Sequence, residues 1–262
     1  MREISISVHF VQATLKHAVA HGLDPAKLLR ENRISPRLLN ERGARVSIER
    51  YADLQVTTML AMGDEGLGYS SRRMPIGTWA MMCHAVIGCE TLGQALARYC
   101  RFFQLFETDV HPNLVEDVDT AFVRLEAIDD RCLLDPFLGE VTLFNTHRFA
   151  SWLVQEHLPL QCVQMGFSAS AEAQDYRRMF LANPVEFDQE HTQLVLSRAL
   201  LDKQTVQNEA SLRHFLRHPV LIMLTQDYAS NSWTTRVRHS VRRSLLDMPE
   251  LTDVATELDV HP

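Results

Sequence analysis

Residues 232–248 constrain the architecture most, because they combine a narrow apolar stripe with dense positive charge. Apolar side chains recur at every fourth position, which predicts a helix with one buried face, and these are Trp233, Val237, Val241 and Leu245. The other faces of this helix carry Arg236, Arg238, Arg242 and Arg243. A basic helix of this kind favours contact with a polyanion, and the four arginines are candidates for contacts with DNA phosphates.

Residues 251–262, LTDVATELDVHP, match the first half of a helix-turn-helix. Thr252 is placed to cap a helix, and the small Ala255 would let a second helix cross the first. The predicted scaffold positions are Val254, Ala255, Leu258, Asp259 and Val260. The second helix should begin near Pro262, so we expect this unit to be incomplete here. The segment alone leaves an ordinary helical hairpin open.

Charge is distributed unevenly along the 262 residues. The formal net charge is −7, whereas residues 232–248 carry +3, which leaves −10 for the remainder. An acidic body excludes a protein whose whole surface binds nucleic acid. It is typical of a sensor joined to a DNA-binding module.

The cysteines and the N-terminus indicate the cellular compartment. An odd set without short paired spacings disfavours both a disulfide framework and a zinc site, namely Cys83, Cys89, Cys100, Cys132 and Cys162. The first residues lack a basic leader, and no apolar run is long enough to span a bilayer. We therefore expect free thiols in a cytoplasmic protein without a membrane partner.

The first part of the chain reads as helices separated by capping residues. The apolar spacing predicts a helix over residues 8–20, and Asp24-Pro25 and Ser35-Pro36 each open another. Ser47 opens a longer helix that ends near Gly63. Residues 63–68, GDEGLG, follow no strand and lack GK[ST], so they favour a loop over a phosphate site.

Residues 77–106 predict two apolar helices. The first, over 77–86, is apolar nearly all round and should be buried, and the second begins at Thr91. Large side chains from this part and the following strand could line a pocket for an apolar small molecule, namely Trp79, Met82, Phe102, Phe103, Phe106 and Phe122. An ordinary hydrophobic core explains the same residues and stays open.

The pattern becomes mixed after Phe106. Alternation and turn residues predict a β-hairpin over 107–128, with turns at Pro112-Asn113 and at 117–119. A helix over 138–156, a strand over 161–168, a short helix over 171–180 and a strand pair over 185–197 follow. We therefore predict an α+β fold, in which a helical N-terminal part packs with a small mixed or antiparallel sheet and a helical C-terminal stub follows.

Domain boundaries follow from these shifts in pattern. We expect a ligand-sensing region over 1–205, a connector over 206–231 and the start of a DNA-binding domain over 232–262. The connector contains a helix over 208–228, interrupted at His218-Pro219, that either docks on the sensor or contributes to a homodimer.

No pattern predicts catalysis, a metal or a cofactor. The GFSAS run at 166–170 has Ser170 where a nucleophile elbow requires Gly. Two histidine pairs stand four residues apart, His17 with His21 and His214 with His218, but neither has a nearby third ligand.

Two internal stretches carry a family resemblance. One is GDEGLGYSSRRMPIGTWAMMCHAVIGCETLGQALARYCRFF at 63–103, and the other is YRRMFLANPVEFDQEHTQLVLSRALLD at 176–202. With the C-terminal pattern, the chain resembles an AraC/XylS-type transcriptional regulator with an arabinose-binding-type N-terminal sensor domain, cut within the first helix-turn-helix. It departs from that pattern at Gln94, at Asp259 and in the missing remainder of the DNA-binding domain.

The resemblance implies a ligand-responsive regulator that acts as a homodimer. Its implied partners are an unknown small-molecule effector and DNA, the latter bound only by the full-length protein. The alternative is a stand-alone small-molecule-binding or enzymatic α+β protein whose C-terminal helices only pack.

Overall fold

A computed structural model of the chain describes residues 5–41, 43–128, 134–169, 176, 179–180, 183–226 and 252. The predicted basic helix and the five scaffold positions of the helix-turn-helix lie outside these residues, as does most of the predicted helix over 171–180.

The N-terminal part is helical and is closed by a small antiparallel sheet. Strands β1 (Ser5–Ser7) and β2 (Arg45–Ser47) pair with each other. Helices α1 (Val8–Leu15) and α2 (Pro25–Glu31) lie between these two strands in the sequence. The predicted helix over 8–20 ends earlier, because the Lys16 and Ala18 amides bond to carbonyls only three residues back. Short 3₁₀ helices follow at Val19–His21 and Pro36–Asn40.

Three helices follow: α3 (Ile48–Met62), α4 (Thr78–Val86) and α5 (Leu92–Phe103). Thr91 caps α5 as predicted, since its hydroxyl accepts from the Gln94 amide at 3.3 Å. The prediction that the first apolar helix is buried all round is wrong for one face. Met82 is fully buried against the core, whereas Met81 is 62% exposed.

A five-stranded mixed sheet has the order β3-β4-β7-β5-β6. Its strands are β3 (Val110–Glu116), β4 (Thr120–Ala127), β5 (Cys162–Gln164), β6 (Val185–Glu186) and β7 (Gln193–Ser197). The predicted hairpin is β3 and β4, but Pro112 lies inside β3, not in a turn. This position is tolerated because β3 is an edge strand. Strands β6 and β7 do not pair with each other, since both pair with β5.

The longest helix, α6 (Pro136–Val154), passes through the core, and Asp135 caps it at 3.0 Å from the Phe137 amide. After a 3₁₀ helix at Arg198–Asp202, the predicted helix over 208–228 is divided into α7 (Glu209–Phe215) and α8 (Pro219–Thr225). The division falls at Pro219, which has no N–H for the helical ladder. Buried side chains from the helices and the sheet form one core, so the predicted α+β class is confirmed.

Candidate ligand-binding cavity

A cavity of about 1020 Å³ lies between α3, α6 and α8. The segment over 65–80, the C-terminal end of α5 and the start of β3 complete its walls. Its volume is at the upper end of the range found for small-molecule sites.

Away from the exposed rim, the half-buried Glu65 is the one charged side chain among the described lining residues. Tyr51 and Gln55 of α3 and Tyr99 of α5 supply uncharged polar groups, each less than a tenth exposed. Both tyrosine hydroxyls lie within hydrogen-bond distance of threonines, Thr14 for Tyr51 and Thr146 for Tyr99. Apolar side chains provide most of the remaining buried wall, including Phe103, Phe144 and Met223.

The rim of the cavity is charged and exposed. It combines acidic and basic side chains, namely Glu31, Arg33, Glu49, Arg50, Asp53 and Arg217. Three apolar side chains also remain in solvent here, since Leu60 is 60%, Ile76 is 45% and Val56 is 38% exposed. The cavity therefore changes from an exposed mouth with charges of both signs to a largely apolar interior.

The glycine-rich segment is a loop, as predicted, but two acidic side chains give it a fixed shape. Asp64 is 1% exposed, and its carboxylate accepts from the Gly66, Gly68 and Met74 amides at 2.8–2.9 Å. Such bonds satisfy a buried carboxylate. In the sequence, the signal for these hydrogen bonds was the adjacent acidic pair Asp64-Glu65 within a glycine-rich run.

Glu65 connects this loop to the start of α4. Its carboxylate accepts from the Gly77 and Trp79 amides, both at 2.7 Å. These amides belong to the first turn of α4, where backbone N–H groups lack helical partners. Burial raises the pKa of Glu65, and the two hydrogen bonds oppose that shift. The loop and α4 therefore form one connected wall.

Some polar groups on or beside the cavity wall have no hydrogen-bond partner among the described residues. The Nε1 of Trp79 is unpaired, but it has almost no accessible surface and so faces packed protein, not the open cavity. The side-chain amides of Gln55 and Asn145 likewise make no hydrogen bond within the described part of the chain. Unpaired polar groups on an apolar wall are suited to fixing the orientation of a ligand.

The structure places two of the six predicted pocket residues on the cavity wall, Trp79 and Phe103. The rings of Phe102 and Phe106 contact each other at a tilt, with centroids 5.5 Å apart and an interplanar angle of 53°. Phe122 lies on β4 beneath the Arg124 guanidinium, and Met82 is fully buried. Hydrophobicity alone could not separate these sets, because core and cavity walls use the same residue types.

The buried Arg148 joins α6 to the end of α8. Its Nε donates to the Met179 carbonyl at 3.0 Å, and its Nη1 donates to the Gln226 carbonyl at 2.8 Å. The guanidinium also lies 5.3 Å from the centre of the Phe144 ring, which lines the cavity. Arg148 thus contacts both the cavity wall and the last described residue before 227–251.

Two further ionisable groups are buried on α6. Burial raises the pKa of Glu140 to about 7, although a hydrogen bond from the Tyr176 hydroxyl opposes the shift. Burial lowers the pKa of His147 to about 3, so the ring is neutral near neutral pH, with Nε2 at 2.9 Å from the Leu158 carbonyl. Neither residue lines the cavity. Their protonation therefore affects the stability of the core and not direct contact with a ligand.

The described residues contain no cluster of three or more potential metal ligands among His, Cys, Asp and Glu. Cys83, Cys89, Cys100 and Cys162 are free thiols. Cys132 lies outside the described residues. No helix within the described ranges combines the length and apolarity needed to cross a bilayer.

An α+β domain with an open, largely apolar cavity of this size has the features of a small-molecule site. Residues 22–205 match the family described as the arabinose-binding domain of AraC transcription regulators, at their N-terminus. The chain belongs to this family of AraC-type regulators.

Curated relatives agree with this assignment. The chain is 24% identical over 259 residues to the ornithine utilization regulator of Pseudomonas aeruginosa, an alignment that covers 97% of this chain and 75% of the relative. It is also 24% identical over 272 aligned positions to HTH-type transcriptional regulators of Mycobacterium bovis and Mycobacterium tuberculosis, covering 99% of this chain and 77% of each. The protein is a DNA-binding transcriptional regulator with a sensing domain.

Proposed function

We propose that the cavity binds the small-molecule effector of this regulator and that α8 conveys its occupancy to the DNA-binding region. The observation that carries this proposal is that α8 forms one wall of the cavity and is the last described helix before residues 227–251. A ligand that contacts α8 can shift the position of the segment that follows, provided it binds one arrangement better than the other.

Arg148 gives this coupling a physical path. One end of its guanidinium holds the carbonyl that follows α8, and its face covers Phe144 on the cavity wall. A ligand that displaces Phe144 would therefore move or release the end of α8. Hydrogen bonds from a charged arginine are roughly twice as strong as neutral ones. Breaking them would therefore separate, in free energy, the held position of the end of α8 from the released one.

The remaining assignments belong to the same proposal. Residues 1–205 sense the effector, 206–231 connect and contribute to a homodimer, and 232–262 begin the DNA-binding domain. Arg236, Arg238, Arg242 and Arg243 contact phosphates, and the protein acts in the cytoplasm. Support comes from the positive charge of residues 232–248 and from the family, whose match ends where the connector begins.

A cavity-filling variant tests the proposal. Val141 lies on the cavity face of α6, and Val141→Trp should occupy much of the ligand volume while leaving the fold intact. Metabolites are screened by thermal shift against the wild type, this variant and Val118→Trp, an exposed control at a β-turn. A ligand bound only by the folded state raises the melting temperature.

We expect stabilising compounds to act on the wild type and the Val118 variant but not on Val141→Trp. The same compounds should change the salt-dependent affinity of the full-length protein for its operator DNA. Compounds that stabilise all three proteins equally, or that bind in the cavity without any effect on DNA affinity, would contradict the proposal.

A further inference from the structure

We infer that the effector of this cavity is an organic cation, with a positively charged nitrogen that pairs with Glu65, an apolar body, and an uncharged hydrogen-bonding group that contacts Gln55. This inference rests on the proposed function and adds the chemical class of the ligand. Two observations carry it. One is a carboxylate on the cavity wall without a cationic partner, and the other is a buried side-chain amide that lines the same cavity without a hydrogen bond.

The two neighbouring carboxylates of the glycine-rich loop have different surroundings. Asp64 is 1% exposed, accepts three backbone hydrogen bonds and is not among the residues that line the cavity. Glu65 is half-buried and lines the cavity, and each of its oxygens accepts a single backbone hydrogen bond at 2.7 Å. Because a carboxylate has about four acceptor sites, Glu65 retains acceptor capacity for a ligand. Asp64 therefore fixes the loop, whereas Glu65 is available at the cavity.

The negative charge of Glu65 has no counter-charge within the described part of the chain. None of the lysine, arginine or histidine side chains there lies within ion-pair distance of its carboxylate. Burial raises the pKa of Glu65, and the neighbouring Asp64 raises it further. The hydrogen bonds from Gly77 and Trp79 come from neutral amides, so they leave the formal charge in place. A partly desolvated carboxylate of this kind is stabilised by a cation that enters the cavity.

The surface beside Glu65 also suits a cation. Trp79, whose amide donates to Glu65, lines the cavity, but its indole N–H is not accessible. The indole therefore offers only ring carbons to a ligand, and the face of such a ring attracts cations. The arginines that line the cavity are all exposed at its rim, namely Arg33, Arg50 and Arg217. Water and salt screen them, so they do not offset Glu65.

Gln55 supplies the second, independent observation. It lies on α3, is 7% exposed and lines the cavity. Its amide makes no hydrogen bond with any described residue, yet its amide atoms are not fully enclosed, unlike the Trp79 Nε1. At a buried position of the cavity wall, that accessible surface faces the cavity. An amide both donates and accepts, so Gln55 is suited to a carboxamide or hydroxyl group of a ligand.

The rest of the buried wall defines the body of the ligand. Phe103, Phe144 and Met223 provide buried apolar surface from three different helices. With a volume of about 1020 Å³, the cavity has room for much more than a small ammonium ion. An aliphatic or aromatic body would displace water from this surface, which favours binding.

Matched probe sets test the inference. Phenyl, naphthyl, cyclohexyl and octyl bodies each carry an aminomethyl, hydroxymethyl or carboxylate group at one end, and each amine is also prepared with a carboxamide at the other end. Binding to the full chain is measured by calorimetry at near-neutral pH, for the wild type, Glu65→Gln, Gln55→Leu, Asp53→Asn and Val141→Trp. Glu65→Gln removes the charge and keeps one oxygen acceptor. Asp53→Asn is the matched comparison, because it removes an exposed carboxylate from the cavity rim.

We expect the best amine to bind about tenfold or more tightly than its alcohol and carboxylate counterparts, because only the amine forms a charge-assisted hydrogen bond with Glu65. In Glu65→Gln the affinity of the amine should fall about tenfold, whereas that of the alcohol should change about twofold or less. In Asp53→Asn both affinities should change about twofold or less, since exposed charges are screened.

The carboxamide tests the second contact. Gln55→Leu should weaken the amines that carry a carboxamide about three- to tenfold and should not weaken those that lack it. Val141→Trp should abolish the binding of every probe, because it fills the ligand volume. Melting temperatures of the unliganded variants separate a loss of binding from a loss of folding. The order of amine, alcohol and carboxylate in the wild type tests the charge preference without any variant.

The possible failures are distinguishable. Alcohols or carboxylates that bind the wild type as tightly as the amines, and are lost in Val141→Trp, would overturn the cationic ligand class and leave the proposed function intact. An amine that weakens as much in Asp53→Asn as in Glu65→Gln, or no more than its alcohol in Glu65→Gln, would overturn the pairing with Glu65. Equal affinity of a carboxamide-bearing amine for the wild type and Gln55→Leu would overturn the Gln55 contact. A panel in which nothing binds, or in which binding persists in Val141→Trp, would overturn both the ligand class and the proposed function.

Discussion

Two helices of the cavity wall, α6 and α8, are held in different ways. Helix α6 has 19 residues, a side-chain cap from Asp135 and burial on nearly all sides. Helix α8 has seven residues, no side-chain cap at His218, and Met223 as its one buried residue. The difference indicates that α6 is fixed by burial on nearly all sides, whereas α8 is held on one side, by packing against α3 and by the hydrogen bond from Arg148 to the Gln226 carbonyl.

Aromatic packing explains the fixed wall. Phe149 of α6 lies with its ring centroid 5.5 Å from Trp79, 5.7 Å from Trp152 and 6.0 Å from Phe215. Such clusters bury large apolar areas and add directional ring contacts. The same cluster connects α6 to α4, which carries Trp79 at the cavity wall, and to α7.

Phe149→Ala should have the largest effect, because it removes the centre of this cluster on the fixed wall. Phe149 is 2% exposed, and we expect the free energy of unfolding to fall by about 3–5 kcal/mol. Urea denaturation measures the change. Val118→Ala, at an 83% exposed position, serves as the control and should change stability by less than about 0.5 kcal/mol. A loss under about 1 kcal/mol in Phe149→Ala would contradict the view that α6 is fixed by packing.

Glu140→Gln tests how the buried Glu140 carboxyl on α6 changes the free energy of unfolding. The folded-state pKa of Glu140 is raised to about 7 from its usual 4.5, so the folded protein binds a proton that the unfolded chain releases between these values. Its stabilising contribution is therefore complete below about pH 4.5 and is lost as the pH rises to about 7. The total is on the order of 3 kcal/mol.

The pH dependence of unfolding provides the measurement. Glu140→Gln should lose the part of the slope that lies between about pH 4.5 and 7 and should be more stable than the wild type above pH 7. Val118→Ala, measured over the same series, should keep the wild-type slope. Identical slopes in Glu140→Gln and the wild type would show that this carboxyl does not titrate in that range.

Arg148→Met tests how α8 is held. The substitution keeps an apolar stem against Phe144 and removes the donors to the Met179 and Gln226 carbonyls. We expect a loss of about 1–3 kcal/mol, confined to α8, because buried acceptors lose their partner. Hydrogen exchange should accelerate in α8 and remain unchanged in α6. Equal acceleration in both helices would show that the two walls open together.

The smallest effect is expected at the helix that precedes α8. The Asn208 side chain accepts from the Ala210 and Ser211 amides at 2.9 and 3.2 Å, which forms a capping box for α7. Asn208→Ala should lower stability by about 1 kcal/mol. Asn208→Asp is the matched control and should retain the cap. Thermal unfolding should give melting temperatures that fall in the order wild type, Asn208→Asp, Asn208→Ala.

Local signals in the sequence predicted much of the fold. Asp24-Pro25 and Thr91 mark helix starts because capping depends on residues one to three positions away. The β3–β4 hairpin was likewise predicted, since alternation is a property of neighbouring residues. The cavity was predicted less well. Gln55 lies on α3 and Asn145 lies on α6, and nothing near either residue in the sequence indicates that these two helices line one cavity.

Residues 232–262, together with the family resemblance of the two upstream stretches, determined the expectation of a DNA-binding module, because charge, helical spacing and motifs are properties of the sequence itself. The sequence also determined the α+β class and the capped helix starts, which depend on short-range interactions. Only the tertiary structure decided that Trp79 and Phe103 line a cavity while the rings of Phe102 and Phe106 pack against each other at a tilt. It alone placed the Arg148 guanidinium of α6 against the Gln226 carbonyl at the end of α8, 78 positions further along the chain. Such contacts depend on how distant segments pack, and residue type alone does not specify that packing.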